Sequence, residues 1–229
     1  KLRSPAQLQY FAKPHCRPLN SITRFSEHNM PAQTRKKGER KHQILQALAQ
    51  MLETNPGQRI TTAKLAEAVG VTEAALYRHF PSKARMFEGL LDFIDDSIFG
   101  HINLILEEEK QASVRSFQTC HLVLLFAERN PGISRLLSGE ALMGEQARLR
   151  ERVNQFYDKL ELQFKQILRE RKLREGKDFA YNETVVANQL VCWIEGNISQ
   201  FVRSDYQKKP SENLLAQWAI FESILFSNA

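Results

Sequence analysis

The sequence predicts an all-α protein in which a small, basic three-helix head precedes a larger, acidic helical body. Three observations lead there. Apolar residues recur every three to four positions through most of the chain, the period of an amphipathic helix. Pro and Gly fall mostly between those runs, where helices would end. Charge also changes sign along the chain. Residues 31–85 hold ten Lys and Arg against four Glu, whereas residues 86–229 hold seventeen Lys and Arg against twenty-one Asp and Glu. With 229 residues, 42% of them hydrophobic, the chain has ample material for a core. A basic segment joined to an acidic body suggests a polyanion as the partner of the first and a different job for the second.

Taken in order, residues 1–33 read as a disordered leader or extension. Pro5, Pro14 and Pro18 interrupt any helix there, and Met30 followed by Pro31-Ala32 would suit a natural start. From Thr34 to Lys41 runs a basic arm that leads into the first helix. Its Arg35, Lys36 and Lys37, with Arg40 and Lys41, suit phosphates or a minor groove. Ile44, Leu45, Leu48, Met51 and Leu52 give that helix one apolar face, and Asn55-Pro56-Gly57 ends it.

Residues 61–83, TTAKLAEAVGVTEAALYRHFPSK, carry the most specific signal. Thr61 or Thr62 can cap a short helix, because a hydroxyl there accepts a bond from a free backbone N–H. Leu65, Ala66 and Val69 are its inner face. Gly70 ends it by adopting the left-handed conformation that a β-carbon penalises. Thr72 caps the next helix, whose inner face is Ala75, Leu76 and Phe80, and Pro81 stops it. Two short helices joined so tightly cross steeply, and small residues such as Ala66 and Gly70 suit the crossing. This is a helix-turn-helix pattern, whose second helix enters the DNA major groove. Exposed on that helix would be Thr72, Glu73, Ala74, Tyr77 and Arg78, with Lys83 just beyond. Short residues near the start allow approach to base edges, and the longer cationic ones suit phosphates.

The body is a series of longer helices. Ser82 caps the first, with Met86, Phe87, Leu90, Leu91, Ile94 and Ile98 inside and the pattern continuing through Leu104 and Leu106 to Glu107–Glu109. Phe93 falls off that stripe. Further helices are expected over about Ser113–Arg129, Ile133–Leu137, Ala141–Arg174, Asn182–Arg203 and Ser211–Phe226. The basic end of the third of these, residues 169–174, reads as a solvated helix terminus. The last two helices are apolar on more than one face, which predicts a homodimer through a four-helix interface with two helices from each chain.

Chemistry is sparse. There is no phosphate-binding G-x-x-x-x-G-K-[ST] loop, no H-E-x-x-H and no G-x-S-x-G, and the six His do not cluster at ligand spacing. No enzymatic activity, cofactor or metal is expected. Cys16, Cys120 and Cys192 lie far apart, an odd count without C-x-x-C, so a reducing compartment fits and the latter two read as core. No apolar run is long enough to span a bilayer.

The run I60-T-T-A-K-L-A, with V-G-V, L-Y-R-H-F and P-S-K83 after it, resembles the DNA-binding domain of TetR-family regulators. Further along, F-I-x-D-S, I-N-L-I-L, E-R-N-P-G and F-V-R-S resemble the nucleoid occlusion branch of that family, roughly from Arg35 to Pro210. The resemblance implies a TetR-like fold: a helix-turn-helix domain over residues 34–82 and a helical dimerisation and partner-binding domain over residues 83–229. It implies double-stranded DNA as a partner, through Thr61, Lys64, Thr72, Tyr77, His79 and Lys83. It also implies that the C-terminal tail of the division protein FtsZ docks beside Phe93, His101, Leu122, Leu125, Arg129 and Asn130, in a cytoplasmic, nucleoid-associated protein. A repressor released from its operator by a small ligand in the body is the other reading open at this point.

Overall fold

The computed structural model describes residues 35–176 and 181–226, and all secondary structure among them is helical. Three helices make the head: α1 Arg35–Thr54, α2 Thr62–Val69 and α3 Glu73–His79. The body follows as α4 Lys83–Glu108, α5 Ala112–Arg129, α6 Pro131–Leu137, a 3-10 turn Glu140–Leu142, α7 Ala147–Glu175, α8 Glu183–Arg203 and α9 Leu214–Leu225. Residues 1–34 and Cys16 lie outside the described residues.

Helices α2, α3 and α4 each start where a side chain replaces a missing backbone partner. Thr61 accepts from the Lys64 N–H at 3.3 Å, Thr72 from Ala75 at 3.2 Å and Ser82 from Arg85 at 3.2 Å. Helix α2 closes in a Schellman turn, with Val71 N donating to Ala66 O and Gly70 N to Glu67 O. Gly70 has φ +72°, and an added Cβ would meet open space. The left-handed turn therefore requires this glycine, not a close crossing, as the sequence pattern had suggested. The crossing is made by Ala66, which is buried against the head.

The core runs without a break from Ile44, Leu48, Leu65 and Leu76 of the head into Phe87, Leu90 and Ile94 of α4 and on into the body. Head and body meet at a second point, where α6 crosses α1. Gly132 sits there without room for a side chain. An added Cβ would overlap the Ala49 carbonyl oxygen and lie 2.9 Å from Glu53 N. Beside it, Arg135 reaches from α6 to the Leu52 carbonyl, and to the Asn55 carbonyl at 3.2 Å, at the end of α1.

Several sequence expectations are corrected. The basic arm expected to lead into the first helix is itself helical from Arg35 onwards, so α1 begins within it. On α4 the stripe shifts to Phe99, Ile102 and Ile105, leaving Leu104 44% exposed. A 3.6-residue period makes a straight stripe drift around a 26-residue helix. The expected helix over Ala141–Arg174 is broken near Gly144 (φ +77°) and starts at Ala147. Its basic end is not fully solvated, since Arg171 is buried and donates to the Phe226 carbonyl at 2.9 Å. The last helix begins at Leu214, after Asn213 in a left-handed conformation. Cys120 is core, but Cys192 is exposed on α8.

Candidate nucleic-acid and partner interfaces

The turn between α2 and α3 brings most of the expected DNA-reading residues onto one exposed region. Thr72, Glu73, Ala74, Tyr77 and Arg78 are exposed on α3, with Thr61 and Lys64 exposed on α2. His79 is half-buried. A hydrogen-bonded chain ties the two helices: Tyr77 Oη donates to Thr62 Oγ1 at 3.4 Å, and Thr62 Oγ1 donates to Glu73 Oε2 at 2.6 Å. Thr62 and Glu73 therefore hold the crossing angle. The chain also draws an acidic group towards α2, where it opposes a phosphate less than a free carboxylate would. Arg35, Lys36 and Lys37 lie in the first turn of α1.

Lys83 is differently placed from the other cations. Its ammonium pairs with Glu145, in the turn before α7, and lies 5.6 Å from the centre of the Phe87 ring. The partners are 62 residues apart, so no local pattern reveals the contact. The pair begins a ladder of ions between α4 and α7. Arg148 meets Glu88 at 3.1 Å, Arg152 meets Asp92 at 2.8 Å and Asp95 at 3.5 Å, and Lys159 meets Asp95 at 3.8 Å. Hydrogen bonding and the charges of Asp92 and Asp95 outweigh burial at Arg152 and hold its pKa above the ordinary value.

The expected peptide-docking residues divide. Phe93 and His101 are half-buried on α4, Leu125 is half-buried on α5, and Arg129 is exposed at the end of α5. These belong to the surfaces of two helices packed on one another. Leu122 and Asn130 do not join them. Leu122 is 1% exposed in the core, and Asn130 is 4% exposed with its amide donating to the Phe126 carbonyl at 2.9 Å. Leu122 turns inward because α5 packs on several neighbours at once and has little outer face. Asn130 turns inward to satisfy a helix-end carbonyl. His101 holds its ring against the Ser97 carbonyl at 2.6 Å. Behind Leu125, burial lowers the pKa of His121; Glu128 opposes that shift and Arg129 adds to it.

Helices α8 and α9 leave an apolar face outward. Val185, Ile220 and Ile224 are exposed, and Trp193 packs on Phe221 with ring centres 4.9 Å apart at the edge of that face. Trp193 Nε1 donates to Gln217 Oε1 at 3.0 Å, which fixes the indole and joins the two helices. Exposed Cys192 and Gly196 extend the face along α8. Among the described residues there is no cluster of His, Cys, Asp or Glu suited to a metal ion, and no helix long and apolar enough to cross a membrane.

Comparison with known proteins gives consistent results for both halves. Residues 44–90 match the family described as bacterial regulatory proteins, tetR family, and residues 110–225 match the tetracyclin repressor-like C-terminal domain of SlmA type. The nucleoid occlusion factor SlmA of Colwellia psychrerythraea is 65% identical over 182 residues, covering 80% of this chain and 92% of that protein. The SlmA of Alteromonas mediterranea is 59% identical over 189 residues, covering 82% and 97%. Among solved structures, a TetR transcription regulator from Haloarcula marismortui superposes with a TM-score of 0.69 at 18% identity, covering 82% of this chain and 99% of that one. The fatty acid degradation regulator FadR of Bacillus halodurans superposes with a TM-score of 0.71 at 16% identity, covering 81% and 96%. At that identity the structural likeness concerns the fold alone.

Proposed function

This chain belongs to the TetR family, in its nucleoid occlusion factor branch, and from that premise we propose that it binds chromosomal DNA as a dimer and blocks division over the nucleoid by engaging FtsZ. The observation that carries the DNA half is the exposed surface of α3. Its start offers short side chains, Thr72 and Ala74, for close approach to base edges. Tyr77 and Arg78 follow for phosphates, and the crossing beneath is fixed by the Tyr77–Thr62–Glu73 chain. Thr61 and Lys64 extend the phosphate-facing surface, and Arg35, Lys36 and Lys37 stand in the first turn of α1 as further candidates for DNA phosphates. In this reading residues 34–82 are the DNA-binding domain and residues 83–229 the dimerisation and partner-binding domain.

The apolar face of α8 and α9 supports dimerisation. A second copy packed there would form a four-helix interface and present two heads to two half-sites. For the FtsZ tail, Phe93, Leu125, His101 and Arg129 support a docking surface. A phenyl ring and a leucine suit apolar tail residues, and a guanidinium suits a carboxylate. Leu122 and Asn130 then act from beneath, one by packing and one by closing the end of α5.

FtsZ polymerisation followed by light scattering with GTP tests the reading. The protein together with genomic DNA fragments is expected to lower polymer more than protein alone, and Phe93→Ala with Arg129→Ala is expected to remove the effect while leaving DNA binding intact. Tight DNA binding with no effect on polymer would overturn the FtsZ half.

A further inference from the structure

Phe93 is one of two apolar side chains that α4 turns outward along one line. Leu104 is the other, and it is 44% exposed. An α-helix turns about 100° per residue, so residues eleven apart stand nearly in line, three turns and about 16 Å from one another. Ser97, Gly100 and His101 lie between them on the same side of the helix. Gly100 is exposed, and a Cβ added there would meet nothing within 4 Å. The surface is therefore two apolar knobs with a low saddle between them. The ladder to α7 runs along another flank of α4, through Glu88, Asp92 and Asp95.

The two ends of this surface differ in charge. Residues 109–111 join α4 to α5, and a link that short makes the packed helices an antiparallel pair. Arg129, at the end of α5, therefore lies towards the Phe93 end. Just past Leu104 stand Glu107 and Glu108, exposed and without an ion pair among the described residues. The neighbouring Lys110 ammonium is taken up by the Glu107 carbonyl at 2.7 Å. Carboxylates in the last turn of a helix face the negative end of its dipole, so helix stability does not account for these two.

We infer that Leu104 is a second apolar anchor for the FtsZ tail, three turns along α4 from Phe93, where it grips the part of the tail that lies beyond the Phe93 and Arg129 contacts. The distance suits about five residues of extended chain laid across the Gly100 saddle. Polarity sets which way the tail lies. Its acidic residue meets Arg129, and a cationic residue meets Glu107 and Glu108 past Leu104. The inference rests on the FtsZ reading of the α4–α5 surface and adds the far end of that surface to it.

Fluorescence anisotropy of a labelled FtsZ C-terminal tail peptide, titrated with the full chain, tests it. Leu104→Ser is expected to weaken the peptide about fivefold, the effect of the apolar area that a half-exposed leucine can still bury. Leu104→Met keeps the apolar reach and is expected to stay within about twofold of the unaltered chain. Gly100→Gln fills the saddle and is also expected to weaken the peptide. Gln favours a helix more than Gly does, so loss of fold does not imitate that result. Glu107→Gln combined with Glu108→Gln is expected to cost about twofold at low salt and nothing at high salt. Met143→Ser removes a side chain 79% exposed in the turn before α7 and is expected to change nothing. Unchanged affinity in Leu104→Ser beside a clear loss in Phe93→Ala would overturn the second anchor and leave the FtsZ reading standing. A peptide that fails to bind the unaltered chain would overturn both. A loss in Met143→Ser equal to that in Leu104→Ser would overturn the anchor, since any exposed apolar side chain would then do the same.

Discussion

Three exposed arginines of the head and three buried arginines of the body do opposite work. Arg40, Arg59 and Arg78 of the head are exposed. Arg115, Arg135 and Arg171 of the body are buried, and each meets the carbonyl end of a helix other than its own. Arg115 donates to the Leu106 and Glu109 carbonyls at the end of α4, both at 2.7 Å. Arg135 closes the end of α1 and Arg171 the end of α9. Each also has a carboxylate partner: Glu170 at 2.7 Å, Glu140, and Glu175 at 3.7 Å. The last carbonyls of a helix lack partners and carry the negative end of its dipole, so a guanidinium can be buried there with its charge and its donors both answered. Among these six, the buried arginines are the ones that a helix end faces.

Four substitutions test that contrast and the contacts around it, taken from the largest effect downwards. Gly132→Ala should have the largest effect, because the new methyl strikes α1 backbone and forces the head off α6. Chemical denaturation should show a loss of about 3 kcal/mol. Next comes one substitution made in both regions. Arg135→Met should lower stability by about 2 kcal/mol by leaving buried carbonyls unmet. Arg78→Met should change stability by no more than about 0.5 kcal/mol while weakening DNA binding. If Arg78→Met unfolds the chain as readily as Arg135→Met does, the division into exposed and helix-closing arginines fails. The smallest effect is expected from Glu145→Gln. It frees the Lys83 ammonium from its partner and should tighten DNA binding by about two- to fivefold, measured by fluorescence anisotropy at fixed salt. Weaker binding would mean that Glu145 positions Lys83 for DNA and does not restrain it.

The head was the more legible half. Thr61, Thr72, Ser82 and Gly70 act on backbone groups within about four residues, and each does what its position predicts. The inner faces of α1 through α5 were legible for a related reason. A helical period marks one side as apolar whatever that side later meets. The outer limits of those faces were less legible. Leu104 and Cys192 are apolar yet exposed, and Leu122 and Asn130 are buried where a docking surface was expected. In a helix touched by several neighbours, burial depends on how many of them arrive, and periodicity does not count them.

Local signals in the sequence sufficed for the helical class, most helix starts and ends, the basic head and acidic body, and the α3 surface. These follow from contacts one turn long and from the sign of charge along the chain. The partners of the long-range polar groups came from packing. Lys83 finds Glu145 across 62 residues, Arg135 reaches Leu52 across 83, and the buried Tyr206 hydroxyl is left without a partner among the described residues. A charged or hydroxylated side chain takes its meaning from what packing places within about 3 Å of it, and that distance is set by helices far apart in the chain.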